Sequence, residues 1–85
     1  MNELDKLREE IDLIDSEIVR LFSERMAVSE KIGDYKRKNG LPVLDKTREN
    51  EKLDAIEGGV DPEIKPYIRE LYEKIFSLSR DKQKK

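Results

Sequence analysis

The chain has 85 residues, of which 45% are charged and 35% hydrophobic, and its charges nearly cancel to a net −2. This length predicts a single domain over residues 1–85, and the charge balance is unlike the basic excess of most nucleic-acid-binding proteins. The chain has no Cys and no His, which excludes a disulfide framework and a thiolate zinc site and removes the commonest general base. With no apolar run near the ~20 residues of a membrane span and no signal-peptide pattern, we expect a cytoplasmic protein.

The first predicted element is a helix from about Glu3 to Lys38. Its apolar residues are spaced alternately three and four apart, which is a heptad pattern typical of helices that pair. Arg25 occupies a position where this pattern predicts an apolar residue, and Gly33 is expected to weaken the helix by up to ~1 kcal/mol relative to Ala. The apolar positions are Leu4, Leu7, Ile11, Ile14, Ile18, Leu21, Val28, Ile32 and Tyr35.

A second, shorter helix is predicted from Asp45 to about Glu57. Asn39, Gly40 and Pro42 end the first helix, because Gly suits the left-handed position after a helix and Pro cannot continue one. Asp45 has a side chain suited to capping the next helix.

The third predicted helix follows Gly58 and Gly59 and runs to about Gln83. The dipeptide Asp61-Pro62 is typical of an N-cap followed by a first-turn proline, so the helix is expected to begin there. Pro66 fits poorly inside a uniform helix, and a start at Pro66 is the alternative.

The length of the first helix predicts a partner chain. At 1.5 Å per residue it spans about 50 Å, and two shorter helices of the same chain cannot cover its whole apolar stripe. We therefore expect an all-α protein with three helices per chain, one of them very long, forming an intertwined homodimer.

Polar side chains stand where the apolar stripe of each predicted helix continues. Leu53 and Ile56 mark the inward side of the second helix, and Ile64, Ile68, Leu71, Ile75 and Phe76 mark that of the third. Since buried polar groups need partners, the polar residues either satisfy one another or line a ligand pocket. They are Arg25 on the first helix, Asp45, Arg48 and Glu49 on the second, and Ser79 and Gln83 on the third.

The cations of the first helix indicate what such a pocket binds. Lys36 shares a face with Arg25 and lies about 16 Å further along the axis. Arg8 also borders the stripe and lies about 25 Å from Arg25 on the same helix, towards its N-terminus. In an antiparallel dimer, Arg8 of one subunit therefore reaches the pocket that holds Arg25, Lys36 and Arg48 of the other. The guanidinium group of arginine binds a carboxylate through two parallel hydrogen bonds, so the predicted ligand is a small molecule with two carboxylates.

Each of these residues also has an ordinary structural interpretation. An arginine in a heptad seam usually sets register or reaches to solvent. Asp45 alone is a helix cap, and Ser79 and Gln83 alone mark the end of an apolar stripe. Lys36, Arg48 and Glu49 alone are solvated surface charges, so the prediction of a site depends on all of them converging.

The motifs together resemble the all-helical chorismate mutases, whose members are intertwined dimers of three-helix chains. The combination of LREEID, ER, K, D-x-x-R-E and S-x-x-x-Q at these separations carries the resemblance, which covers nearly the whole chain. The matching segments are Leu7 to Met26, Ile32 to Lys36, Asn39 to Leu53 and Ser77 to Gln83.

The resemblance implies conversion of chorismate to prephenate, with a role for each candidate residue. Arg8 resembles the arginine that reaches a substrate carboxylate from the other subunit, and Arg48 another carboxylate ligand. Arg25 resembles a ligand of a carboxylate or of the enolpyruvyl group. Lys36 and Gln83 resemble the donors to the breaking ether oxygen. Further contacts are implied for Glu49 and Asp45 near the ring hydroxyl and for Ser79 on the carboxylate side.

Two alternatives remain open from the sequence. An isochorismate-pyruvate lyase shares this fold and a similar basic pocket, and a helical dimerisation or regulatory module without activity also fits the heptads and high charge.

A [3,3] rearrangement needs no nucleophile, metal or cofactor, so the mutase interpretation predicts none and is compatible with the lack of His and Cys.

Overall fold

The computed structural model describes residues 2–84 and shows an all-α chain of three helices in that range. Helix α1 is Glu3–Lys38, α2 is Lys46–Glu57 and α3 is Lys65–Gln83. The predicted bounds of the first two helices and the end of the third are confirmed. Met1 and Lys85, which the single-domain prediction included, lie outside the described residues.

The caps explain where α1 and α2 begin and end. Asn2 accepts a hydrogen bond from the backbone of Asp5, and Asp45 accepts one from the backbone of Arg48, so both helices start with a side-chain cap. Gly40, with φ of 67°, provides the left-handed residue that follows α1. The prediction that Asp45 caps the second helix is therefore confirmed.

The start of α3 differs from the Asp61-Pro62 prediction. Residues 61–64 form turns rather than a helical turn, and α3 begins at Lys65 with Pro66 in its first turn. Ile64 is the N-cap and provides no side-chain hydrogen bond. Pro66 cannot donate a backbone hydrogen bond, and a proline is tolerated only where the donor has no intrahelical partner, so the helix begins beside it.

Helix α3 holds the chain together by packing against both α1 and α2. The apolar core of one chain is small: among the described residues only Leu53 and Phe76 are buried hydrophobic side chains. Ile68 and Ile75 are half-buried as their positions on the inward stripe predict. Ile64 and Leu71, which were predicted to face inward, are exposed in the single chain.

The heptad stripe of α1 is uncovered over its N-terminal half. Leu7, Ile11, Ile14 and Ile18 are each about half exposed, from 49% to 58%. The molecule measures 56 × 27 × 15 Å, so α1 extends well beyond the other two helices. Within residues 2–84, no helix is long and apolar enough to cross a membrane.

Candidate functional site

A cavity of about 430 Å³ lies where the C-terminal half of α1, the start of α2 and the end of α3 meet. Its size is in the range of small-molecule sites. Seven of the eight residues predicted from the sequence line it. The lining comprises Arg25, Val28, Ser29, Ile32, Lys36, Val43, Asp45, Arg48, Glu49, Lys52, Phe76, Ser79 and Gln83.

Lys36 and Gln83 form the polar end of the cavity. Lys36 Nζ donates to Oε1 of Gln83 and to the backbone carbonyl of Val43, each at 2.8 Å. An ammonium only donates, so the Gln83 oxygen must face Lys36 and the amide NH₂ must face the other way. Two of the three Lys36 donors are used in these contacts, which leaves one for a ligand.

A buried pair of hydroxyl groups joins α1 to α3 beside Gln83. The Oγ atoms of Ser29 and Ser79 are 2.6 Å apart, and both residues are buried. Nε2 of Gln83 lies 3.4 Å from Ser79 Oγ, at the long end of hydrogen-bonding distance. The amide NH₂ is therefore only weakly engaged and is available to donate into the cavity.

Arg25 is half-buried on the cavity wall, with its guanidinium carbon 5.9 Å from the centre of the Phe76 ring. This is at the outer range of a cation–π contact, which favours a guanidinium lying over the ring. Among the described residues, Arg25 makes no salt bridge with a carboxylate, so its charge is available to an anion in the cavity. The interruption of the heptad stripe thus coincides with the point where α1 becomes cavity wall.

Glu49 and Arg80 connect α2 to α3 at the side of the cavity. Arg80 Nη1 lies 2.7 Å from both carboxylate oxygens of Glu49, and each side chain is less than one third exposed. Glu49 lines the cavity with its charge already paired, whereas Arg48 and Asp45 are exposed at the rim.

Arg8 is the predicted site residue that the single chain does not bring to the cavity. It is exposed near the N-terminus of α1. Arg25 lies 17 positions further along the same helix, which is about 25 Å along its axis. Arg8 of the same chain therefore cannot reach a small ligand that contacts Arg25.

Sequence reasoning missed three polar contributors to this region: Ser29, Lys52 and Arg80. Ser29 lies four residues after Arg25 and seven before Lys36, so helical spacing alone was sufficient to include it. No comparable signal identified Arg80, because its partner Glu49 is on another helix. Within residues 2–84, no group of three His, Cys, Asp or Glu side chains is arranged to hold a metal ion.

Comparison with known proteins gives several curated relatives. A bifunctional chorismate mutase/prephenate dehydratase of Aquifex aeolicus is 38% identical over 100% of this chain, which is 25% of that protein. The T-protein of Haemophilus influenzae is 30% identical over 85% of this chain and 22% of its own length. A chorismate mutase of Methanocaldococcus jannaschii is 32% identical over 66% of this chain and 57% of its own. The chain thus spans about a quarter of the first two relatives.

Structural and family comparisons agree with these relatives. A conserved hypothetical protein of Pyrococcus furiosus superposes with a TM-score of 0.82 and 35% identity, over 98% of this chain and 97% of that one. The family model described as chorismate mutase type II matches residues 7–84. The chain belongs to the type II chorismate mutase family, as its motifs predicted.

Proposed function

We propose that this protein is an isomerase that converts chorismate to prephenate, a step of aromatic amino acid biosynthesis. The observation that carries the proposal is the pairing of Lys36 with Gln83 at the end of a cavity whose walls carry Arg25 and Arg48. A dicarboxylate with an ether oxygen between its two halves matches this distribution of cations and donors. Family membership supports the same reaction.

The arginines bind and orient the substrate. Guanidinium groups bind carboxylates through two parallel hydrogen bonds, which define direction as well as position. With Arg25 and Arg48 on different helices, two carboxylates are held apart and the flexible substrate is confined to a compact, chair-like conformer. Confining the reacting ends in this way lowers the entropic part of the barrier.

Lys36 and Gln83 stabilise the charge that develops on the ether oxygen as its bond to carbon breaks. The free Lys36 donor and the Gln83 NH₂ group are already oriented by Val43, Ser79 and each other. Donors held in place before reaction stabilise a transition state without reorganisation. The new carbon–carbon bond forms within the same molecule, so neither nucleophile nor cofactor takes part.

The remaining predicted residues complete the binding site. We assign Glu49, with Asp45 at the rim, to the ring hydroxyl, because a carboxylate is a strong acceptor for a hydroxyl proton. Arg80 already satisfies part of the Glu49 charge and keeps its carboxylate at the cavity wall. Ser79 is assigned to the carboxylate side of the substrate.

The working form proposed for the protein is an intertwined homodimer with Arg8 acting in the other subunit's site. The exposed heptad stripe of α1 supports a second copy as the covering partner, and so does the small apolar core, which comprises Leu53 and Phe76 within the described part of the chain. An antiparallel arrangement of two α1 helices brings the N-terminal part of one towards the C-terminal half of the other. A cytoplasmic location remains a prediction from the sequence.

The proposed function is tested by incubating purified protein with chorismate and following the loss of its absorbance, with prephenate identified by chromatography. Isochorismate is supplied in a parallel reaction, with salicylate and pyruvate as the products to detect. Prephenate formation supports the mutase. Salicylate and pyruvate from isochorismate, with chorismate untouched, would establish a lyase instead. A dimer inactive on both would leave a non-catalytic module.

A further inference from the structure

We infer that Gly33 and Arg37 are positioning residues that fix the main chain of Gln83, and thereby set where its side-chain amide meets the substrate. This inference rests on the proposed role of Gln83 in the reaction. Neither residue lines the cavity, and both act on the last turn of α3 from outside it.

Gly33 allows α1 and the end of α3 to approach more closely than any other residue permits. It is buried in the middle of α1. A Cβ atom at this position would lie 2.6 Å from Cα and 2.9 Å from the carbonyl carbon of Gln83, and would also overlap the carbonyl oxygen. These are backbone atoms, which cannot rotate away, so any side chain displaces Gln83. The helix-weakening glycine therefore has a packing reason.

Arg37 binds the same carbonyl group of Gln83. Its Nη1 donates to the Gln83 backbone oxygen at 2.6 Å, and its Nη2 pairs with Asp34 one turn back on α1. The carbonyl groups in the last turn of a helix have no partner within the helix, and a guanidinium satisfies one of them while complementing the helix dipole. Arg37 thereby ties the end of α3 to α1 next to Lys36.

The backbone and the side chain of Gln83 are thus held by neighbouring residues of one helix. Gly33 and Arg37 contact its main chain, Lys36 contacts its amide oxygen, and all three lie within about one turn of α1. A shift of the main chain therefore moves the amide relative to Lys36. Since both donors must meet one ether oxygen, a displacement of about 1 Å is expected to lower the rate by roughly 100-fold.

The test combines kinetics with a probe of Gln83 itself. Gln83 is the only glutamine in the chain, so glutamine-selective ¹⁵N labelling of the side chain gives a single amide ¹⁵N signal, shared by its two NH₂ protons, in an NMR spectrum. We expect Gly33→Ala to shift that signal and to lower kcat by roughly 100-fold, with a much smaller change in KM. Arg37→Gln should shift it as well and lower kcat less, and Arg37→Lys should recover part of the loss.

The matched controls are Gly58→Ala and Arg20→Gln. Gly58 has φ of −66°, and an added Cβ there meets nothing closer than 3.4 Å. Arg20 pairs only with Glu17 and Glu24 of its own helix among the described residues. Both variants should keep the parental kcat and Gln83 signal.

Unchanged kcat in folded Gly33→Ala or an unmoved amide signal in that variant would overturn the inference. If Gly33→Ala does not fold, kcat and the Gln83 amide signal are measured in Arg37→Gln instead. Parental values of either quantity in that variant would overturn the inference. A parent inactive on chorismate overturns the proposed function instead, and the amide signals then decide separately whether Gly33 and Arg37 place Gln83.

Discussion

The ammonium of Lys36 lies 2.8 Å from the side-chain oxygen of Gln83, and this contact orients the glutamine amide. Because the oxygen faces Lys36, the NH₂ group is left to donate elsewhere. The two residues are 47 positions apart in the chain and lie on α1 and α3. The relative placement of these helices therefore determines the donor geometry of the cavity.

Replacing Lys36 with Met should lower kcat for chorismate by about 100-fold or more, because one preorganised donor to the ether oxygen is lost. Helix content should stay near the parental value, since Lys36 is only partly buried. Steady-state kinetics and circular dichroism measure the two quantities. Lys74→Met, at an exposed position of α3, is the matched control. A Lys36→Met enzyme with parental kcat would contradict the role assigned to Lys36.

The proposed trans action of Arg8 predicts complementation between two inactive variants. Arg8→Ala and Lys36→Met each remove a residue from both sites of their own homodimer. After unfolding and refolding together, the heterodimer contains one site in which Arg8 and Lys36 are both intact. Activity should therefore reappear in the mixture, and should be absent when the two proteins are refolded separately and then combined.

The opposite result is informative for Arg8. If Arg8 acts in its own subunit, each of the two sites in the heterodimer lacks one residue. The site of the Arg8→Ala chain lacks Arg8, and the site of the Lys36→Met chain lacks Lys36. A mixture as inactive as its components, with heterodimers demonstrated by mass spectrometry, would refute the arrangement in trans.

A charge in the heptad stripe should break the dimer. Ile14→Glu places a carboxylate where the second copy is proposed to pack, and burial of an unpaired charge is strongly unfavourable. Because Leu53 and Phe76 are the only buried apolar side chains within residues 2–84, loss of the partner should also lower helix content. Sedimentation equilibrium and circular dichroism test both expectations.

Ser16→Glu is the control for this charge. Ser16 lies on the same exposed helix but on the face away from the heptad stripe, so the dimer should survive the substitution. Dissociation of both variants to the same extent would indicate that added negative charge, rather than its place in the stripe, is responsible.

The ion pair of Glu49 with Arg80 should stabilise the contact between α2 and α3. Both side chains are less than one third exposed and the arginine engages both carboxylate oxygens. A double-mutant cycle with Glu49→Gln and Arg80→Met, followed by urea unfolding, should give a coupling free energy of about 1 kcal/mol. The exposed pair of Arg20 and Glu17 should give a smaller coupling. Equal couplings would indicate that burial adds nothing to the Glu49–Arg80 pair.

Local patterns predicted the helices well and the start of α3 poorly. The α1 heptads and the Asp45 cap involve residues within a few positions of one another, so their consequences can be read without the rest of the fold. Asp61 followed by Pro62 has the residue types of a helix start, but Pro66 four residues later competes with it. The structure places the start at Lys65, beside the second proline.

The residue types and helical faces of the candidate site were determined by the sequence itself, since the spacing of Arg25, Lys36, Ser79 and Gln83 along regular helices defines which side each occupies. The tertiary structure alone decided how these faces meet. From the sequence, Gly33 was expected only to weaken the helix. The structure shows that the backbone of Gln83 packs against it. Arg80 showed no role until Glu49 was found beside it. The spacing of residues along one helix does not give the distance from that helix to its neighbours. Those distances are set by how the side chains of the helices pack closely against one another.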